Sequence, residues 1–167
     1  MEAKAKKVSD SRTETIYLMM PQHANPAGKI YGGTILGMAD AVAYMCAARH
    51  ASPNVVTAGL DQVDFREPIN IGEAVTFKAE VNYVGKTSME IGIRIEAEDL
   101  KTGKRRHTNS CYFTMVALNE KGQPTAVPRL LTETPDEKRR FEEGRIRREH
   151  AKELSQKREA LKNQGVK

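Results

Sequence analysis

The sequence predicts an α+β protein: an antiparallel β-sheet wrapped around one long central helix, with an additional C-terminal helix. Three observations point there. Val75 to Tyr83 and Met89 to Ala97 alternate apolar and polar residues with a period of two, so each is a strand with one buried and one wet face. Thr34 to Arg49 is a single helical run rich in Ala, Met and Leu. A charged run with a proline at its first turn begins at Thr134.

The remaining elements follow in order. Thr13 to Met20 mixes β-branched and long apolar residues, reads as a strand and stops at Pro21. His23 to Gly33 is a loop punctuated by Pro26, Gly28 and the Gly32-Gly33 pair. Pro53 ends the helical region, and Val55 to Phe65 is a strand stopped by Pro68. Gly85-Lys86 and Lys101-Thr102-Gly103 are turn signals on either side of the second alternating stretch. His107 to Leu118 is a longer, more apolar strand, and Asn119 to Pro128 a loop. Thr134-Pro135-Asp136-Glu137 supplies a cap, a first-turn proline and first-turn acids. Beyond it Glu, Lys and Arg dominate, and Glu143 and Arg147 have the spacing of a helix ion pair. Only Phe141, Ile146, Leu154 and Leu161 are large and apolar, so the tail reads as a solvated helix, frayed after Leu161 and dispensable for assembly and activity. This divides the chain into a flexible segment 1–12, a core domain 13–131 and a charged helical tail 132–167. One central helix covers one face of a sheet. The other face needs cover too, which predicts self-association.

Composition excludes several function classes. The 167 residues suit one domain, and no stretch approaches the roughly 20 apolar residues of a membrane span. The Lys-rich start, Met1 to Val8, is not followed by an apolar run, so no secretory signal is expected and a cytoplasmic location is. Cys46 and Cys111 lack CxxC spacing and read as reduced, buried thiols. The net charge of +5 belongs to the ends: residues 1–12 carry four basic and two acidic residues, and 132–167 eleven and eight. The remaining 12 basic and 12 acidic residues of the core cancel, so no nucleic-acid partner is expected. No clustered His/Cys set suggests a metal. His23, His50 and His107 are scattered and read as surface or supporting groups, and His150 lies in the tail.

One charge is out of place. From Ile30 to Ala48 only Asp40 is charged. At ~100° per residue it shares a face with Gly33, Leu36, Gly37, Ala43, Tyr44 and Ala47, opposite Ile35, Met38, Val42 and Met45. A helix apolar on every side is normally buried. A carboxylate buried there needs a partner, which could be a strand backbone or an arginine. The same burial would tune it as a general base or nucleophile. Gly32 and Gly33 precede the helix without side chains, and their free N–H groups carry partial positive charge suited to a carbonyl oxygen that gains negative charge.

The segment Pro21 to Gly33, reading PQHANPAGKIYGG, resembles the loop of cytosolic acyl-CoA hydrolases, the YciA-like bacterial and brain-type vertebrate thioesterases. Met38-Ala39-Asp40 and Ala47-Ala48-Arg49-His50 resemble their central helix, Val55 to Ala58 through Val63-Asp64-Phe65 the next strand, Gly85 to Glu90 their hairpin and Val127-Pro128 their closing segment. Thr134 to Gly144 resembles the tail of the vertebrate enzymes. The likeness spans about residues 13–145, and its order and spacing are specific. It implies the hot-dog fold, homodimers gathered into homohexamers (trimers of dimers), and a site at the dimer interface that hydrolyses fatty acyl-CoA to fatty acid and CoA. The family's catalytic asparagine falls on Asn25 and its catalytic aspartate on Asp40.

On that reading Gly32 and Gly33 polarise the thioester carbonyl. Asp40 activates water, or attacks to form a transient anhydride, while Asn25 orients water or carbonyl. No cofactor is expected, because CoA is part of the substrate and product. Its phosphates need cations. The Lys86-Thr87-Ser88 hairpin is the first choice because it matches the family's CoA-contacting turn. Lys104, Arg105 and Arg106 are the second. Two other readings of the fold remain: a hydratase or dehydratase acting on acyl thioesters, which usually pairs His with an acid, and a non-catalytic acyl-CoA sensor.

Overall fold

The computed structural model describes residues 4–51 and 54–164; the proline expected to end the helical region, Pro53, lies outside them. In chain order the elements are β1 (Lys6–Lys7), β2 (Thr13–Leu18), α1 (Gly32–His50), β3 (Val55–Phe65), β4 (Ala74–Val84), β5 (Ser88–Glu98), β6 (Arg105–Ala117), β7 (Leu130–Leu131) and α2 (Pro135–Gln164). Five strands form an antiparallel sheet in the order β2-β4-β5-β6-β3.

The period of two does its expected work. Val75, Phe77, Ala79 and Val81 of β4 and Ile91, Ile93, Ile95 and Ala97 of β5 are buried on one face. Against them α1 buries Ile35, Ala39, Val42, Ala43, Cys46 and Ala47. Small residues on the helix let it sit close to the branched side chains of the sheet. Cys46 and Cys111 are free and buried, and burial pushes both thiols up to about 12.

Both ends differ from the sequence expectation. The N-terminal segment is held: β1 pairs in parallel with β7, and Val8 and Ser11 are buried. Lys6 Nζ also donates to the last turn of α1, at Arg49 O. The tail starts as its cap predicts, with Thr134 Oγ1 accepting from Glu137 N and Glu137 Oε2 accepting from Glu133 N and Thr134 N. The first half of α2 then lies on the outer face of the sheet instead of in solvent. Phe141 packs on Tyr83 with ring centroids 5.1 Å apart and the rings tilted by 58°. Arg147 leaves Glu143 to Arg139 and makes a two-pronged ion pair with Glu90 of β5, at 2.7 and 2.9 Å. Gly144 permits the approach: a Cβ there would sit 2.8 Å from Tyr83 Cβ. The charges read as a solvated face are therefore partly the complement of Glu80 and Glu90 on the sheet. Helix α2 also covers part of the face that was expected to need a second copy. Its far half, with Leu154 and Leu161, stays exposed.

Candidate active site

The loop before α1 is stitched into one unit. Tyr31 N donates to His23 O, Ala24 and Ile30 bridge, and Asn25 N donates to Lys29 O at 2.7 Å. Asn25 Oδ1 accepts from Ala27 N and Lys29 N at 3.0 and 3.1 Å, an Asx turn closed by Gly28 at φ 73°. The amide oxygen of Asn25 is thus used by its own loop, and Nδ2 is the end left to donate outward. Gly32 and Gly33 open the helix. Thr34 N and Ile35 N already bond Tyr31 O, so the first two N–H groups are those free for a ligand. Side chains there would crowd aromatic rings: a Cβ on Gly32 would lie 3.2 Å from Phe65, and one on Gly33 3.2 Å from Tyr31.

Asp40 is half-buried, not buried as the apolar helix predicts, because Gly33, Gly37, Ala41 and Tyr44 on its side of α1 are exposed in the single chain. Its partner is Thr57 on the edge strand β3, whose Oγ1 donates to Asp40 Oδ1 at 2.6 Å. Neither of the expected partners, a strand backbone or an arginine, is the one found. At 1.5 Å rise per residue, Asp40 stands roughly 10 Å along the axis from Gly33. Helix-start N–H groups point away from the helix body. A carbonyl oxygen bound by them therefore lies beyond the reach of Asp40 in the same chain.

The two cationic groups lie at opposite ends of the sheet. Ser88 is in register with Val116 and Glu98 with Arg105. At ~3.4 Å per residue the ends of β5 are roughly 34 Å apart, so one protomer cannot bring both groups to one set of phosphates. Ser88 is buried, whereas Lys86 is exposed. Arg105 pairs with Glu98 and Lys104 is exposed. Arg106 is a poor phosphate ligand because it is already spent inside the protein. Its guanidinium bonds both carboxylate oxygens of Glu73 at 2.7 Å, Pro68 O at 2.7 Å and Glu67 at 3.1 Å. Burial would raise the Glu73 carboxyl, but Arg106 and the backbone and side chain of Asn70 outweigh it and hold it down at about 2.

Sequence reasoning missed Thr57 and Asn109. Thr57 is a lone hydroxyl among Val55, Val56, Ala58 and Gly59, and Asn109 interrupts the apolar row continued by Cys111, Phe113 and Met115. A cavity of about 310 Å³ opens beside the start of α1, between Ile30, Gly32, Ile35, Phe65, Ile69 and Asn109. A larger open groove between Leu60 and the far end of α2 contains none of the expected site residues. His50 is fully buried, which overturns the surface half of its reading: one ring nitrogen meets Pro128 O at 3.0 Å, and burial lowers its pKa. Among the described residues no three His, Cys, Asp or Glu side chains converge as a metal site, and no helix is long and apolar enough to cross a membrane.

The profile of the thioesterase superfamily matches residues 27–104. Protein VdlD of Helicobacter pylori is 46% identical over 133 residues, 80% of this chain and 76% of its own. The cytosolic acyl coenzyme A thioester hydrolase of Rattus norvegicus is 38% identical over 142 residues, 84% of this chain but 37% of that longer protein. The crystal structure of an apo-hexameric acyl-CoA thioesterase superposes with a TM-score of 0.88 at 37% identity, covering 91% of this chain and 97% of that one. The Staphylococcus aureus acyl-CoA hydrolase, solved with butyryl coenzyme A, coenzyme A and coenzyme A disulfide, superposes with a TM-score of 0.89 at 31% identity over 98% and 99% of the two chains. Single alanine variants of that hydrolase at an asparagine, an aspartate and a threonine have also been solved. The chain belongs to the acyl-CoA thioester hydrolases, hot-dog-fold enzymes of the thioesterase superfamily.

Proposed function

We propose that this enzyme hydrolyses fatty acyl-CoA at a site shared by two copies of the chain. One copy supplies Asn25 and the N–H groups of Gly32 and Gly33, and the other supplies Asp40 held by Thr57. The separation of roughly 10 Å between Gly33 and Asp40 along one helix carries this reading. The three residue types varied in the Staphylococcus aureus hydrolase support it, since those positions are separated by the same two intervals as Asn25, Asp40 and Thr57. A second copy laid on the exposed face of α1 and the free edge of β3, where Tyr44, Val56 and Leu60 are exposed, would also complete the burial of Asp40. The hexameric state of the apo-thioesterase supports assembly of such dimers in threes.

In the reaction, the carbonyl oxygen accepts from the helix start, and Asn25 Nδ2 donates to the attacking water and orients it. Asp40 takes a proton from water as its oxygen bonds the carbonyl carbon. The negative charge gathers on the carbonyl oxygen, where the N–H groups stabilise it. The C–S bond then breaks, the thiolate of CoA departs and takes up a proton, and the carboxylic acid is released. The exposed Lys86 and half-buried Thr87 of the hairpin, on the copy that supplies Asp40, are the cationic and hydroxyl partners for the phosphates. A dimer seam excludes bulk water while admitting a long substrate between two surfaces.

Complementation tests the shared site. Asn25→Ala and Asp40→Ala chains, each inactive alone, are unfolded and refolded together. A mixed dimer has one site with both lesions and one with none, so activity returns on mixing. No return, with subunit exchange shown by mass, rejects the shared site.

A further inference from the structure

We propose that Asn109 is a substrate-binding residue, its carboxamide forming a second, side-chain donor to the thioester carbonyl beside the N–H of Gly32. This rests on the thioester-hydrolase reading of the same site. Two independent observations meet in one cavity. The first is the start of α1, a 19-residue helix whose opening N–H groups are free. The second is Asn109, 1% exposed, with neither Nδ2 nor Oδ1 in a hydrogen bond. Both Gly32 and Asn109 line the cavity of about 310 Å³.

Buried amides are normally paired, and an unpaired one costs stability that an apolar residue of the same shape would not. The polar groups around Asn109 are satisfied. Its own carbonyl oxygen meets His107 Nε2 at 2.8 Å, and Thr108 Oγ1 donates to Ile95 O. The carboxamide alone is left over, on the face of β6 that points to the helix, opposite Phe65 in the ladder. Phe65 in turn abuts Gly32. Ile30, Ile35 and Ile69 of the lining offer no hydrogen bond, and its other polar side chains, Arg66 and Glu67, are exposed at the rim, Glu67 paired with Arg106. An acyl thioester entering the cavity brings one strong acceptor, its carbonyl oxygen, with two lone pairs. The Gly32 N–H takes one and Asn109 Nδ2 the other. The donor matters most when that oxygen becomes an oxyanion, so it acts on turnover more than on binding.

The test compares Asn109→Leu and Asn109→Ser with the parent, with Asp40→Asn measured beside them. Asn109→Leu is expected to lose 10²- to 10³-fold in kcat with little change in KM. Its Tm should equal or exceed that of the parent, because the unpaired amide is gone. Asn109→Ser, which keeps a donor, should recover part of kcat. A thioether analogue of the substrate, which lacks the carbonyl, should bind parent and Asn109→Leu alike. Full kcat in a folded Asn109→Leu protein while Asp40→Asn is dead overturns this inference and leaves the site reading standing. A fall in kcat that tracks a fall in Tm or loss of assembly overturns it in favour of a structural role. Full activity of Asp40→Asn overturns the site reading, and this inference with it.

Discussion

Arg147→Ala should destabilise the protein by about 3 kcal/mol. The Glu90 side chain is 7% exposed, and three donors reach it: Arg147 Nε, Arg147 Nη2 and Asn82 Nδ2. The substitution removes two of them and strands a buried carboxylate, a change that typically costs about 3–5 kcal/mol. Arg147 itself is 21% exposed, so water screens part of the loss and the lower end applies. The guanidinium also sits 3.8 Å from the centroid of Tyr112, worth roughly 0.5–1 kcal/mol more. Arg147→Lys should fall between, since an ammonium cannot reproduce the fork. Replacing both partners, as Glu90→Gln with Arg147→Met, should cost far less than the sum of the single changes. The assay is urea unfolding followed by circular dichroism at one fixed protein concentration, because association adds to apparent stability. A single-variant cost under about 1 kcal/mol, or costs that simply add, would refute the docking of α2. On the same reasoning a chain ended after Glu133 loses stability.

Three other outcomes follow from named contacts. Thr57→Val removes the donor to Asp40 while keeping shape, and should lower kcat roughly 10- to 100-fold, in line with a hydrogen bond to a charged group; unchanged kcat would detach Thr57 from the reaction. Glu73 titrates lower when folded, at about 2, than its ordinary 4.5, so its contribution to stability is present above about 4.5 and is lost as pH falls toward about 2. Glu73→Gln should therefore flatten the acid limb of a stability–pH curve in that window, and an unaltered limb would count against the Arg106 pair. Both cysteine thiols should resist a thiol reagent in the native protein and react fully in denaturant, with fast native labelling of either one as the contrary result.

The fold was legible because its signals are local and periodic. The alternation in β4 and β5 and the Ala-rich run of α1 each announce an element within a dozen residues. The position of Asp40 was legible for the opposite reason, as a break in pattern. What could not be read were partners distant in sequence. Glu143 and Arg147 have ideal helix spacing, yet Arg147 prefers Glu90, 57 positions away, because the more buried carboxylate gains more from it. Arg106 looked available for phosphate until the fold placed Glu73 against it, 33 positions away. Asn109 and Thr57 stand out only once the strands that carry them are registered against α1 and its loop.

The strand order has a consequence for how the chain is made. Strands β4, β5 and β6 form a meander of adjacent hairpins and can pair as they emerge. Strand β3 cannot, because its neighbour is β6, about 40 residues later. At about 5–20 residues per second of synthesis, β3 waits roughly 2–8 s with Val55, Val56, Leu60 and Phe65 unpaired. Helix α1 waits with it, since the faces it buries belong to β4 and β5. Strand β2 shares this exposure, since its neighbour β4 is more distant still, so the strand that carries Thr57 is one of two segments open to capture by chaperones, or to pairing with the wrong chain, before the sheet closes.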